Sequence, residues 1–436
     1  MVRDPVRLLR PLSLVMLVVA LGAFAARPHG GVGLRAGASD DDAARRDADP
    51  DAADREGAMH RHDASEILRG RVLVIEHACS GCHGGTLDPA DEKWMVGMTS
   101  PDLEFRIGPC AMDPDATPCF RTRPRNLTPD NTTGIGRFSE RQIFNALRYG
   151  LRPGETADVE ITSSVPGVGN FPEDPKYLAP PMPWPAWRHM PDEDLWAIAA
   201  YLKHAVKPVA HRVADSEGPP DFWASEYTEE KMGAYPAPPF PTAQEVEPPA
   251  AQRALVLRGR QAVLQHACGD CHGGWVNPAS ERWLSGAREG EAPFPVGACV
   301  ADPKATPCFA TYPRNLTPHG TSGIGPYSEQ QLFNALRFGL RPKFAPDGVI
   351  GSDTAFPAEP HFLAPSMPWA AWRHMSDDDL RAIAAYLKHG LRPVENLPPA
   401  SDEPADFWAS ESTPEKTGPY PAPPFPTERE VRPEGS

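Results

Sequence analysis

The sequence predicts an all-α protein: two tandem small helical domains with long loops and proline-rich tails. Three observations carry this expectation. A block of motifs spanning residues 79 to 203 recurs between 268 and 388, at an offset of 189 that shortens to 185 after one loop. Helical apolar periods fall at matching places in both copies, with no convincing alternating strand. Fifty-four prolines in 436 residues favour loops and short helices over long regular elements.

The N-terminus reads as an export signal. Arg3, Arg7 and Arg10 form a positive start, Leu12 to Ala25 are mostly apolar, and Ala23-Phe24-Ala25 offers a cleavage site flanked by small residues. Residues 1–25 are therefore expected to be a signal peptide, or a short anchor if left uncleaved, which would be the one route to membrane contact. No other stretch is apolar enough to cross a bilayer. Residues 26–62, with Asp40-Asp41-Asp42 and no apolar period, read as a disordered spacer. The first domain then covers 63–247 and the second 252–432, with a hinge expected near Glu245 to Ala251. The formal net charge of −15 excludes nucleic acid as a natural partner. An acidic surface suits solubility or a basic docking partner instead.

Each repeat opens with a helix, over 65–77 and 254–266, that carries Ile67, Leu68 and Val74 or Leu255 and Val263 on one face. A pentapeptide follows: Cys79-Ser80-Gly81-Cys82-His83 and Cys268-Gly269-Asp270-Cys271-His272. This is the attachment signature of c-type haem, in which Cys79, Cys82, Cys268 and Cys271 bond the porphyrin edge and His83 and His272 ligate iron. A zinc site is the rival reading, but it would need a second cysteine or histidine pair in each half, and none is present. Two covalently attached haem c groups are the expected cofactors.

The other four cysteines repeat at the same offset, so disulfides Cys110–Cys119 and Cys299–Cys308 are expected. Each would close a short loop worth about 2.5–3 kcal/mol by the chain-entropy estimate, and export makes them permissible. A second helix follows Ser139-x-x-Gln142 and Ser328-x-x-Gln331, both capping-box patterns, and ends at Gly150 and Gly339 as C-caps. A third runs over about 192–204 and 377–389, with an acidic first turn suited to the helix dipole. The tails repeat too, as Asp221 to Glu226 with Asp406 to Glu411 and as Pro236 to Thr242 with Pro421 to Thr427. A linker need not reappear after the second repeat, so each tail is read as packing on its own domain.

Met182 and Met367 are the preferred sixth iron ligands, because each lies in a Pro-x-Met-Pro-Trp loop whose prolines restrict the backbone. Met190 and Met375 fit better as apolar staples before the last helix. His189 and His374 are the bis-histidine alternative. His77 and His266 lie two residues before each first haem cysteine, held away from the iron face, and His204 and His389 suit the C-terminal dipole. Pro89 and Pro278 lie in the loop after each ligand histidine, where a carbonyl is expected to fix the imidazole. Arg125, Asn126, Arg314 and Asn315 are candidate propionate contacts.

The run of CxxCH, Asn-Leu-Thr-Pro, Thr/Ser-Gly-Ile-Gly, Ser-Glu, Ala-Leu-Arg-(Tyr/Phe)-Gly, Met-Pro-Trp and Ala-Ile-Ala-Ala-Tyr-Leu-Lys resembles class I cytochrome c domains. More narrowly, it is similar to the multi-haem cytochrome subunits of periplasmic alcohol and sugar dehydrogenases. The resemblance covers roughly 63–205 and 252–390. It implies a fold in which first and last helices cross, with Gly70 and Gly259 admitting Tyr201 and Tyr386, and His/Met-ligated iron that passes single electrons. The chain departs from that pattern in having two haem motifs where the subunits typically have three, an extra cysteine pair, and Phe-Trp tails. The implied role is a periplasmic dihaem electron carrier rather than an enzyme, linking redox protein partners such as a membrane or periplasmic dehydrogenase to the respiratory chain and a terminal oxidase. The alternative is a dihaem peroxidase with one open iron. The near-identity of the two Met loops argues against it.

Overall fold

The computed structural model describes residues 62–99, 104–108, 110, 115–217, 227–300, 304–352, 354–402 and 409–433. The expected signal peptide, the spacer up to residue 61 and both Phe-Trp pairs lie outside them. Twelve helices in the described residues carry the architecture. In the first repeat these are α1 (Ala64–Glu76), α2 (Cys79–His83), α3 (Glu140–Tyr149), α4 (Trp184–Trp187), α5 (Asp192–His204) and α6 (Glu229–Met232). Their counterparts are α7 (Arg253–Gln265), α8 (Cys268–His272), α9 (Glu329–Phe338), α10 (Trp369–Trp372), α11 (Asp377–His389) and α12 (Pro414–Thr417).

The structure corrects the all-α expectation. Strand β1 (Phe105–Ile107) pairs antiparallel with β2 (Phe120–Thr122), and β3 (Phe294–Gly297) with β4 (Cys308–Thr311). Each ribbon is tied by a disulfide, Cys110–Cys119 with Cα atoms 5.2 Å apart and Cys299–Cys308 at 5.3 Å. Strands of three or four residues are too short to display a period of two, and Pro295 interrupts one of them. The covalent tie brings together segments whose own pattern is silent.

The long helices begin and end where local chemistry dictates. Ser139 and Ser328 each accept from the backbone N–H three residues on, while Gln142 and Gln331 reach back, completing both capping boxes. Gly150 and Gly339 close those helices with φ of 69°. They also let Met-Pro-Trp dock: a Cβ on Gly150 would stand 2.1 Å from the Trp184 ring, and one on Gly339 2.2 Å from Trp369.

Helix α1 crosses α5 at a point that only glycine permits. A Cβ on Gly70 would lie 1.9 Å from the Ala197 carbonyl and 2.9 Å from Tyr201 Cβ; on Gly259 it would lie 1.9 Å from Ala382 O and 2.8 Å from Tyr386 Cβ. Around each crossing sits one apolar core. Ile67, Val74, Trp94, Leu195, Ile198 and Tyr201 build the first, and Val256, Val263, Trp283, Leu380, Ile383 and Tyr386 the second.

The tails begin on their own repeats, where Arg188 donates to Gly233 O and Arg373 to Gly418 O, but their proline-rich ends cross to the other repeat. Ala237 and Phe240, from the tail after the first repeat, lie against the second core, while Ala422 and Phe425 lie against the first. Glu245 is fully buried there: it accepts from Arg260 Nε at 2.6 Å and from the Tyr386 hydroxyl at 2.7 Å. The segment expected to hinge is thus pinned, with Val246 N–H also donating to Gly390 O at 3.0 Å. Glu430 repeats the arrangement on the first core, through Arg71 and Tyr201. Proline-rich segments carry no local partner that would declare which core they cover.

The exchange extends to the haem motifs. Leu87 and Ala78 join the second core, and Val276 and Ala267 the first. Equivalent residues thus make reciprocal contacts across the seam, as in an isologous interface.

Candidate functional site

The two CxxCH motifs are held alike. Ala78 and Ala267 turn into the left-handed region at φ of 52° and 55°, ending the preceding helix and starting a five-residue helical turn. Gly84 and Gly273 follow at φ of 95° and 96°. A Cβ on Gly84 would stand 2.6 Å from Gly97 O. This close approach lets Gly97 N–H donate to His83 O at 2.6 Å, as Gly286 N–H does to His272 O at 2.7 Å. The same segment reaches onward, with Leu127 N–H on Met95 O at 2.8 Å. Each motif is thereby tied to Arg-Asn-Leu-Thr-Pro.

That tie fixes the histidines. His83 Nδ1 lies 2.7 Å from Arg125 O, and His272 Nδ1 2.7 Å from Arg314 O. A carbonyl can only accept, so Nδ1 carries the proton and the lone pair rests on Nε2, the form in which imidazole ligates a metal. Burial holds both histidines below their usual range, against the raising effect of those bonds, and so favours the neutral ring. The orienting carbonyl therefore comes from the arginine of the later motif. Pro89 O and Pro278 O, in the loops first suspected, instead accept from Thr427 Oγ1 at 2.6 Å and Thr242 Oγ1 at 2.7 Å, anchoring the exchanged tails.

Cys79, Cys82, Cys268 and Cys271 are the free cysteines of the chain. Burial pushes Cys82 up to about 11 and the other three to about 12, so none is an activated thiolate. Among the described residues, no compact metal-ligand group includes these cysteines with His83 or His272. A zinc centre, which needs four close ligands, does not fit this donor set. A porphyrin fits it, since the cysteines would bond its edge and the histidine would reach its iron.

Met182 packs against the same core as Cys79, and Met367 against the same core as Cys268, each only partly buried. Met190 and Met375 are by contrast buried core residues. His189 and His374 stand against Tyr235 and Tyr420, with arginines around them. His204 and His389 bond Glu140 at 2.6 Å and Glu329 at 2.7 Å.

The propionate expectation changes for the asparagines. Asn126 is 2 % exposed; its amide nitrogen serves Val209 O, His211 O and Thr133 Oγ1, while its oxygen accepts from Thr128. Asn315 repeats these bonds with Val394, Asn396, Ser322 and Thr317. Neither has a donor left for a carboxylate, so both brace the loop that carries the orienting carbonyl. Arg125 reaches Val213 O at 3.1 Å and Asp215 at 3.1 Å, and Arg314 reaches Pro399 O at 3.0 Å. The exposed histidine orienter was missed because nothing local in Arg-Asn-Leu-Thr-Pro says that its first carbonyl faces a ring 42 residues away.

The arrangement is a duplicated helical frame with a CxxCH motif at each core, as in proteins of the cytochrome c kind. Comparison with known proteins agrees: the chain is similar to cytochrome c subunits of several dehydrogenases. It is 30 % identical over 328 residues to the gluconate 2-dehydrogenase cytochrome c subunit of Pantoea cypripedii, covering 74 % of this chain and 59 % of that one. It is 27 % identical over 289 residues to the cytochrome c subunit of the quinone alcohol dehydrogenase of Gluconacetobacter polyoxogenes, covering 66 % and 50 %. It is 24 % identical over 342 residues to the fructose dehydrogenase cytochrome subunit of Gluconobacter japonicus, covering 74 % and 52 %. The chain thus spans between half and three-fifths of the length of these relatives. No family profile matches it.

Proposed function

We propose that this protein is an exported dihaem c-type cytochrome, built as two tandem cytochrome c-like domains, that carries single electrons from a dehydrogenase toward the respiratory chain. The observation that carries this reading is the repeated histidine geometry: a paired, unactivated CxxC beside an imidazole whose Nδ1 is committed to a carbonyl 2.7 Å away, twice in one chain. Haem supplies reversible one-electron chemistry when bound. The chain's own residues do the rest. Cys79 with Cys82, and Cys268 with Cys271, would anchor the two groups. His83 and His272 would present Nε2, and Met182 and Met367 would complete the coordination from loops held by Trp184 and Trp369. With both sixth positions taken, neither site offers room for peroxide, which favours a carrier over a peroxidase.

Mass spectrometry of the exported protein tests the reading. Two covalent haem additions, with a redox titration resolving two one-electron steps, are expected. An unmodified chain, or a high-spin ferric signal with peroxide turnover, rejects it.

A further inference from the structure

Helices α1 and α7 end at the seam between the repeats, and the residues at those ends meet. The rings of His77 and His266 stack face to face, with centroids 4.3 Å apart and planes 13° from parallel. Beside them lies Glu76, the last residue of α1. One of its oxygens and one nitrogen of each ring fall within 4.8 Å of one another. Glu76 stands three residues before Cys79, and His266 two before Cys268, so the group lies where both haem-attachment turns begin.

The surroundings oppose a negative charge on Glu76. The residue is 7 % exposed. A carboxylate at the C-terminal end of a helix also meets the negative end of the dipole. Asp194 of α5 and Asp379 of α11 add like charge. Arg69 of α1 works the other way, but Asp194 engages it, and Arg258 of α7 is spent on Asp379 at 2.7 Å. The rings bring no compensating charge. Burial lowers His77 well below its usual range and His266 to about 4, so both are neutral near pH 7. His266 turns Nδ1 to Ala262 O at 2.9 Å, which leaves its buried, unpartnered Nε2 as an acceptor. Burial, with the two aspartates, pushes Glu76 up to about 8, so the carboxyl titrates close to neutrality while its neighbours do not. The second repeat has no equivalent acid, because Gln265 stands at that position.

A proton held in a low-dielectric place responds to charge placed nearby. A haem core is cationic with iron(III) and neutral with iron(II), so oxidation favours the carboxylate and reduction favours the acid. We propose that Glu76 is a redox-linked proton site at the seam, coupling proton uptake to the arrival of each electron. Iron(III) gains one electron from a reduced redox partner, and the Glu76 carboxylate gains one proton from solvent, so the seam's net charge is unchanged. Both leave when the electron is passed on. The inference rests on the dihaem reading.

Potentiometric titration of the full-length, haem-loaded protein from about pH 6 to about pH 9 tests it. At least one of the two reduction potentials is expected to fall as pH rises, approaching one proton per electron. Glu76→Gln should remove that dependence with both haem spectra unaltered, and Glu140→Gln should keep it. Reduced-minus-oxidised infrared spectra of unmutated protein, isotopically labelled at the glutamate carboxyl, need no variant. A protonated-carboxyl band that appears on reduction and shifts with the label is expected. The proposal fails if the potentials are independent of pH or if Glu76→Gln retains the dependence. It fails too if the band ignores the label, which would give the proton to a haem propionate. A chain without haem would show no reduction step at all, and would overturn the dihaem reading itself.

Discussion

Glu430 accepts from Arg71 Nε at 2.6 Å although 359 residues separate the two. The same carboxylate accepts from Tyr201, whose hydroxyl in turn accepts from Trp94 Nε1 at 3.0 Å. Arg71 completes the clasp by donating to Pro423 O at 2.8 Å and lying over the Phe425 ring. Glu245 holds Arg260, Tyr386 and Trp283 in the same way, so each core is locked by the other repeat's tail. Burial, with Glu430 beside it, drives Tyr201 well above the usual phenol range, which keeps it a neutral donor.

Removing one partner from such a buried pair leaves the other uncompensated. Glu430→Ala should lower the unfolding free energy by about 3–5 kcal/mol in denaturant titration. Hydrogen exchange should then show α1 and α5 opening while α7 and α11 stay protected, and Glu245→Ala should reverse the pattern. Equal loosening of both repeats in either variant would contradict the exchange of tails.

The helix crossings tolerate no added methyl group. Gly70→Ala gains about 0.5–1 kcal/mol of helix propensity, but its Cβ would meet the Ala197 carbonyl at 1.9 Å. A net loss of at least about 2 kcal/mol is expected from the forced separation. Gly259→Ala should behave alike. Thermal melts that rise for either variant would show that the helices can move apart freely.

Acid should destabilise the fold before carboxylates titrate. Burial, with Arg188, Arg148 and Arg260 nearby, pushes His189 down to about 3; burial with Arg373, Arg337 and Arg71 pushes His374 to about 4. Unfolded histidine titrates near about 6.5, so below that pH the unfolded chain takes up protons that the folded chain refuses. Stability is intact above about pH 6.5 and falls toward about pH 4. The paired variant His189→Leu, His374→Leu should flatten this decline in melting temperature; an unchanged slope would assign it elsewhere.

The proposed methionine ligands have their own signature. Met182→Ala and Met367→Ala should each remove about half of the near-infrared methionine–iron absorbance, since one of two equivalent centres is lost. An unaltered band in both variants would move the sixth ligand to another residue.

Much of this was readable along the chain. The capping boxes at Ser139 and Ser328, the glycine stops at 150 and 339, and both disulfides declare themselves through residue identity at short range. So does the haem signature, whose residues are contiguous. The short ribbons were illegible because three residues hold no period. The histidine-orienting carbonyls of Arg125 and Arg314 were illegible because a carbonyl belongs to every residue and only folding aims it.

Sequence alone determined the repeated motifs, the helices they cap and the candidate haem-attachment pentapeptides, because each rests on residues within a few positions of one another. Tertiary structure decided which core each proline-rich tail covers and that His77 meets His266 across the seam. Two near-identical repeats offer each tail two near-identical docking faces, so local chemistry cannot choose between them. In the fold each carboxylate, Glu245 and Glu430, is buried against the arginine and tyrosine of the opposite repeat.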